Sequence, residues 1–323
     1  MTVLYITLGV VGALAVIYFL FLLTCFLIVF YSPKRRVYGE GEYDIPKGDI
    51  YEVYRNDMIA WTNDIRRMPR KSYEIKSEDG LTLRAKYYEY EKGAPIEILF
   101  HGYRGSAERD LSGAVHRCFY LKRNAFIVDH RGSGESDGHV LTFGIKERLD
   151  ALHWINLVIE EFGNDVKIMI TGISMGAATV MMLQNEELPK NILCSLADCG
   201  YTSPKEIITK VLRDMHLPPS LFYPTIRLSA KIFGGFDLEE VTALDGVRKS
   251  KLPIIFIHGT GDDYVPCEMS ERLYAESIAE HKALVLFDGV GHGLCFPADR
   301  EKYYGELMKF EEAHGLLKPE YKI

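Results

Sequence analysis

The chain has 323 residues, 38 basic and 45 acidic side chains, a net charge of −7, and 47% hydrophobic against 26% charged residues. That composition excludes a disordered or collagen-like chain, and the length suffices for one large or two small domains with a substantial core. An acidic balance without a block of five basic residues also argues against a nucleic-acid binder, which needs cations against phosphate.

Charge is distributed unevenly, because no charged side chain precedes Lys34. Val3 to Tyr31 is an apolar run of roughly 29 residues, which at about 1.5 Å per residue spans bilayer hydrocarbon with slack for tilt. A cleaved signal peptide would carry its basic residues before the run and a small-residue cleavage site after it. Here the cluster Lys34, Arg35, Arg36 follows the run, and Tyr31, Ser32, Pro33 is no Ala-x-Ala. Residues 1–31 are therefore expected to be an uncleaved transmembrane anchor at the cell membrane. The basic flank predicts a single pass with the remainder of the chain in the cytoplasm. Of six cysteines, Cys25 lies in the apolar run, and Cys118, Cys194, Cys199, Cys267 and Cys295 lack CxxC or zinc-ligand spacing. Thiols in a reducing compartment are the economical reading.

Residues 32–70 form a juxtamembrane linker. Within it, Tyr51, Tyr54, Met58, Trp61, Ile65 and Met68 recur at steps of three and four, predicting an amphipathic helix over Ile50 to Met68 that stops at Pro69 and packs on the following body, with the membrane surface as the alternative for which its polar face is too acidic to be ideal.

From Lys71 onward strand-like and helix-like patterns alternate. Tyr73 to Ile75 and Leu81 to Tyr90 flank the turn Glu78, Asp79, Gly80 and predict an opening hairpin. Short apolar runs follow at Ile96 to Phe100, Ala125 to Val128, Val166 to Thr171, Ile192 to Leu196, Pro253 to Ile257 and Ala283 to Phe287. Helical stretches such as Thr142 to Glu161 and Ser270 to Glu280 separate most of them, which predicts a mainly parallel, eight-stranded α/β sheet covered on both faces. The gap between Leu196 and Pro253, roughly 55 residues, exceeds one crossover. The expected organisation is thus a core of residues 71–198 and 251–323 interrupted by a helical cap, residues 199–250. The apolar cap residues, Leu221 and Phe222 among them, suggest an acyl or aromatic substrate lying beneath the cap.

Gly172, Ile173, Ser174, Met175, Gly176 sits between a predicted strand and a predicted helix. GxSxG in that setting is a nucleophile turn, whose glycines permit the sharp bend that presents a serine above the sheet. A serine hydroxyl is a weak nucleophile and needs a base, which needs an orienting carboxylate, in chain order Ser, acid, His. His292, in Gly289, Val290, Gly291, His292, Gly293, is the base candidate. Asp262 and Asp263, after the strand Pro253 to Ile257, compete as the acid, with Asp198 a third candidate. The oxyanion donors are expected to be the N–H groups of Met175 and of Tyr103 in His101, Gly102, Tyr103, Arg104, Gly105, with the Tyr103 side chain a pocket wall. Asp129 to Ser136 lacks a phosphate-loop lysine and GxGxxG spacing, so it reads as a loop buttressing the oxyanion turn, with Arg131 in structural hydrogen bonds. His116, His153 and His281 fall at helical positions, and no HExxH or clustered ligand set occurs. No metal or cofactor is expected.

With HGYRG, DHRGSGES, GISMG, HGTGDDYVP and GVGHG in that order, the chain from about Ser72 resembles the α/β-hydrolase superfamily, and most its bacterial serine aminopeptidase-like and acylglycerol-lipase-like branch. The resemblance implies Ser174, Asp262 and His292 as a triad, preferring Asp262 over Asp263, and Tyr103 and Met175 as oxyanion donors. It also implies a serine hydrolase acting through an acyl-enzyme. The expectation is cleavage of a carboxylic ester by a membrane-anchored enzyme with no obligate protein partner, Tyr103, Leu221 and Phe222 contacting the substrate. Two alternatives stand beside it: a peptidase binding an α-amine through Glu206, Asp214 or Asp237, and a catalytically silent binding scaffold.

Overall fold

Eight strands, β1 (Lys71–Lys76), β2 (Thr82–Tyr88), β3 (Ile96–Phe100), β4 (Asn124–Asp129), β5 (Ile168–Ile173), β6 (Ile192–Asp198), β7 (Ile254–Gly259) and β8 (Lys282–Phe287), form one sheet in the order β1-β2-β4-β3-β5-β6-β7-β8. The computed structural model describes residues 1–33, 38–39 and 41–313. Lys34, Arg35 and Arg36, which carry the expected membrane orientation, lie outside the described residues. Strand β2 pairs antiparallel with β1 and β4, and every other pairing is parallel. The sheet is the mainly parallel α/β arrangement that the alternating pattern predicts, and β3, β4 and β7 are buried along their whole length.

Helices cover both faces, as continuously apolar strands require. Before the sheet come α1 (Thr2–Val29), α2 (Asp49–Glu52) and α3 (Arg55–Arg67). One face carries α4 (Ala107–Tyr120) and the C-terminal α11 (Cys295–Ala298) and α12 (Arg300–Ala313). The other carries α5 (Glu147–Phe162), α6 (Met175–Leu183), α9 (Ala243–Lys249) and α10 (Cys267–Glu276). Side-chain alternation divides the core accordingly: Ile98 and Phe126 pack with Trp154 of α5, whereas Leu99 and Ile127 pack with Leu111 and Val115 of α4. On the α4 side the fully buried Glu97 receives hydrogen bonds from Arg117, Arg123 and Thr171, and Arg123 also pairs with buried Glu311 of α12.

Between β6 and β7 lie α7 (Pro204–Asp214), α8 (Pro219–Ser229) and α9, with a π-helical turn Ala230–Gly234 after α8. The C-terminal part of α1 packs on this segment. Phe26 meets Phe233 at 5.5 Å between ring centroids, Phe21 meets Phe222 at 5.8 Å, and Phe30, just beyond α1, is fully buried against Phe143 and Phe236. Helix α1 is thus exposed over most of its first nineteen residues and buried towards its end.

The juxtamembrane stripe forms two pieces rather than one helix. The chain turns at Val53 and Tyr54, where Tyr54 leaves helical geometry with ψ 7°. The break frees Tyr51 to reach the sheet's C-terminal edge, while Thr62 and Ile65 are buried on the α4 side.

Candidate active site

The turn between β5 and α6 is dictated by sterics. A Cβ on Gly172 would lie 2.0 Å from the Gly176 oxygen, and one on Gly176 would lie 2.1 Å from the Phe100 oxygen, so neither position accepts a side chain. Ser174 between them sits at φ 55°, ψ −114°, a strained conformation of the kind stored at functional turns. Its N–H is held by the Asp198 carbonyl at 2.8 Å, fixing the turn to β6.

The structure brings Ser174, His292 and Asp262 together. Ser174 Oγ lies 2.9 Å from His292 Nε2, and His292 Nδ1 lies 2.6 Å from Asp262 Oδ2. The carboxylate accepts from the backbone N–H of Tyr264 and Val265 through Oδ1 and from His258 Nε2 at 3.2 Å through Oδ2. Burial disfavours charge on Asp262, but the hydrogen bonds from His258, His292 and Val265 outweigh it and hold the carboxyl below its ordinary range. Asp263 makes no such contact; its carbonyl accepts from Lys210. Asp198 is instead bound by the Tyr303 hydroxyl at 2.9 Å, and burial raises its carboxyl above the ordinary range.

His258 was not singled out from sequence, although it opens the HGTGDDYVP motif. It is fully buried, and because Val265 O at 2.9 Å only accepts, its Nε2 carries the proton and its Nδ1 accepts from Ser270 Oγ at 2.6 Å. Cys199 is a second unanticipated neighbour, its sulfur grouped with Asp262 and His292 ligand atoms within 4.8 Å of one another. Burial pushes that thiol well above its ordinary range, so it stays neutral at physiological pH.

The 101–105 loop approaches Ser174 closely: a Cβ on Gly102 would lie 3.5 Å from Ser174 Cβ. Its turn is fixed by Gly105 N–H to Gly102 O and by Gly102 N–H to Asp110 Oδ2. The Asp129–Ser136 loop supports it, since the His130 N–H donates to His101 Nε2 at 3.1 Å and His101 Nδ1 bonds Gly102 O at 2.7 Å. Arg131 is fully engaged in this framework by Asp150 and Asp79. Met175 stands at the first turn of α6, where backbone N–H groups lack intrahelical partners.

Ser174 and His292 open into a cleft of about 280 Å³. Its walls include Tyr103, Tyr264, Leu99 and Phe296, and, from the juxtamembrane segment, Tyr51, Met58 and Trp61. Leu221 and Phe222 are not brought to it. Leu221 is 62% exposed, and Phe222 is turned onto Phe21, because α8 packs against α1. Glu206, Asp214 and Asp237 are likewise elsewhere, paired with Arg272, Lys210 and Arg227 respectively. The carboxylates that do reach the cleft are Asp110, paired with Arg109, and Asp198, bound by Tyr303.

No family model matches the chain. It is 27% identical over 245 residues to an uncharacterized protein, YqkD of Bacillus subtilis, covering 76% of this chain and 80% of that one. Among solved structures it resembles an esterase of Pyrococcus furiosus, with a TM-score of 0.62 and 21% identity, over 88% of this chain and 98% of the other. It also resembles an acylaminoacyl peptidase of Pyrococcus horikoshii, with a TM-score of 0.55 and 18% identity, over 78% of this chain and 43% of that larger one.

Proposed function

We propose, for a chain whose fold is that of the α/β hydrolases, that it is a membrane-anchored serine hydrolase cleaving carboxylic esters with an apolar acyl or aromatic part. The observation that carries the proposal is the hydrogen-bonded line from Ser174 Oγ through His292 to Asp262 at the mouth of the cleft.

In this reading His292 Nε2 takes the Ser174 proton as Oγ attacks the ester carbonyl, and Asp262 holds the imidazole with Nδ1 protonated and stabilises the imidazolium. The N–H groups of Met175 and Tyr103 receive the oxyanion. Collapse expels the alcohol, which takes the proton from His292, and water repeats the sequence to release the acid. Apolar walls from Met58, Trp61, Leu99 and Phe296 favour an acyl or aromatic group. The peptidase alternative loses support, because Glu206, Asp214 and Asp237, the carboxylates considered for an α-amine, are paired with cations outside the cleft, and Asp110 and Asp198 within it are bound by Arg109 and Tyr303. The apolar run of α1, with mean hydropathy 2.7 in its best window, supports the anchor, and the basic cluster after it supports a cytoplasmic catalytic body.

Fluorophosphonate labelling combined with a matched panel of p-nitrophenyl esters, monoacylglycerols and aminoacyl amides tests the assignment. Labelling that disappears in Ser174→Ala, with turnover of esters, is expected. An unlabelled wild type would defeat the mechanism, and preference for amides bearing a free amine would replace the esterase reading with the peptidase one.

A further inference from the structure

The last carbonyls of a helix lack intrahelical donors and are satisfied by whatever group is placed beyond them. At the end of α1 those donors come from the oxyanion loop. Tyr103 Oη donates to Val29 O at 2.5 Å, and Arg104 Nη2 donates to Ile28 O at 2.7 Å and to Tyr31 O at 3.0 Å. A cation is the favoured partner there, since the helix dipole leaves its C-terminus negative. Burial pushes the Tyr103 phenol up to about 12, so it remains a donor throughout the physiological range.

The end of α1 is fixed to the catalytic body on another side as well. Ser32 N–H donates to His139 O and Leu141 N–H to Phe30 O, while the Phe30 ring packs on Phe143, which packs on Tyr103 at 5.0 Å. Arg104 has φ 52°, in the left-handed region that non-glycine residues occupy only when their surroundings hold them there. The side chains of Tyr103 and Arg104 are thus clamped to the end of α1, while the backbone just before them, at Gly102, passes beside Ser174.

We infer that the C-terminal end of α1, through the carbonyls of Ile28, Val29 and Tyr31, is a positioning element of the oxyanion hole: it fixes where the Tyr103 N–H points. The inference rests on the serine-hydrolase reading above and adds no bond-making step to it. An oxyanion donor works only within about 2.7–3.1 Å of the developing charge, so a small displacement of the loop removes much of its effect. The helix proposed to anchor the protein and the donor that stabilises its transition state are one mechanical unit.

The test uses full-length protein in detergent with Tyr103→Phe, Arg104→Ala and Arg104→Lys. Tyr103→Phe retains the backbone N–H and removes the hydroxyl, with its bonds to Val29 O and to Arg104. End-point fluorophosphonate titration counts competent sites, so loss of folded protein is separated from loss of rate. Per titrated site, Tyr103→Phe and Arg104→Ala should lower kcat for a p-nitrophenyl ester by about tenfold or more with KM nearly unchanged, and affinity for an aryl trifluoromethyl ketone should fall in parallel. Arg104→Lys should recover part of both losses, as a purely steric role would not require. Retention of kcat within about twofold in Tyr103→Phe and Arg104→Ala would overturn the inference and leave the hydrolase reading intact. A wild type that neither turns over ester nor accepts the probe would overturn both.

Discussion

The Tyr51 hydroxyl donates to the backbone carbonyl of His292 at 3.1 Å, joining the segment between α1 and β1 to the loop that carries the proposed base. Burial raises the Tyr51 phenol to about 12, so it is a donor at every working pH. One neutral hydrogen bond is worth about 0.5–1.5 kcal/mol net. Tyr51→Phe should therefore lower kcat/KM for esters about two- to tenfold while end-point probe titration stays at the wild-type value. Unchanged kinetics would mean that the His292 loop holds its position without Tyr51.

His258 donates to Asp262 Oδ2, the oxygen that also binds His292, and it is fully buried between Ser270 and Val265. His258→Ala removes a donor to the carboxylate and leaves a cavity together with an unpartnered Val265 carbonyl. Denaturant unfolding should show a loss of about 2–4 kcal/mol. Steady-state kinetics on the remaining folded enzyme should show kcat reduced about tenfold or more, since an under-bound carboxylate orients His292 less well. Ser270→Ala, which removes only the partner of Nδ1, should produce a smaller version of both effects.

Local sterics were readable in the sequence; the choice of packing partner was not. Gly172 and Gly176 could be assigned because their demand for zero side chain arises within one turn. The order Ser174, Asp262, His292 follows from strand order in the sheet, but Asp262 and Asp263 are adjacent, and only the course of the loop decides which carboxylate turns towards His292. Leu221 and Phe222 failed for a related reason. An apolar helical face shows that something is covered, not what covers it, and α8 has its partner nearly two hundred residues earlier at Phe21. The same limit hid the cleft wall: Tyr51, Met58 and Trp61 were legible as one helical stripe, but the break at Val53 and Tyr54 that sends them over the active site was not.

His130 is fully buried, and desolvation lowers its imidazole to about 4, against an ordinary value near 6.5. A base whose folded-state pKa is depressed is neutral in the native state, while the unfolded chain takes up its proton more readily. The stabilisation is fully present above about pH 6.5 and is lost as pH falls towards 4, amounting to about 3 kcal/mol across that window. Burial depresses His101 in the same direction, and protonating its Nε2 would remove the acceptor for the His130 N–H. Thermal melting points should be flat above about pH 7 and should fall between 6.5 and 4. In His130→Phe, which keeps the ring near Phe100 and removes the titration, that fall should be shallower. An equally steep acid limb in the variant would place the sensitivity elsewhere.

Glu97 is the shared acceptor of Arg117 and Arg123 beneath the sheet, and although burial opposes its charge, the two guanidinium groups and the Thr171 hydroxyl lower its carboxyl to about 2. Glu97→Gln leaves buried Arg117 without its counter-charge and buried Arg123 with only that of Glu311. Removing one partner of such a group costs about 3–5 kcal/mol, a large share of an ordinary domain's stability. Urea unfolding at pH 7 should report that loss. Since Arg117 also reaches Tyr303, which binds Asp198 at the cleft, kcat/KM should decline along with stability; a variant as stable as wild type would show that the arginines find other partners.

Substrate selectivity should follow the juxtamembrane wall rather than the cap. Trp61 lines the cleft, meets Phe296 in a tilted contact at 5.5 Å between ring centroids and lies against Gly113, where a Cβ would come within 2.7 Å of the indole. Replacing it by alanine opens space in the cleft and removes its contact with Phe296. Across p-nitrophenyl esters of increasing acyl length, Trp61→Ala should shift the optimum of kcat/KM to longer or bulkier acyl groups. Leu221→Ala should leave the profile as it is, because Leu221 faces solvent outside the cleft. A profile that moved with Leu221 and ignored Trp61 would return substrate recognition to the cap and remove the juxtamembrane segment from the binding site.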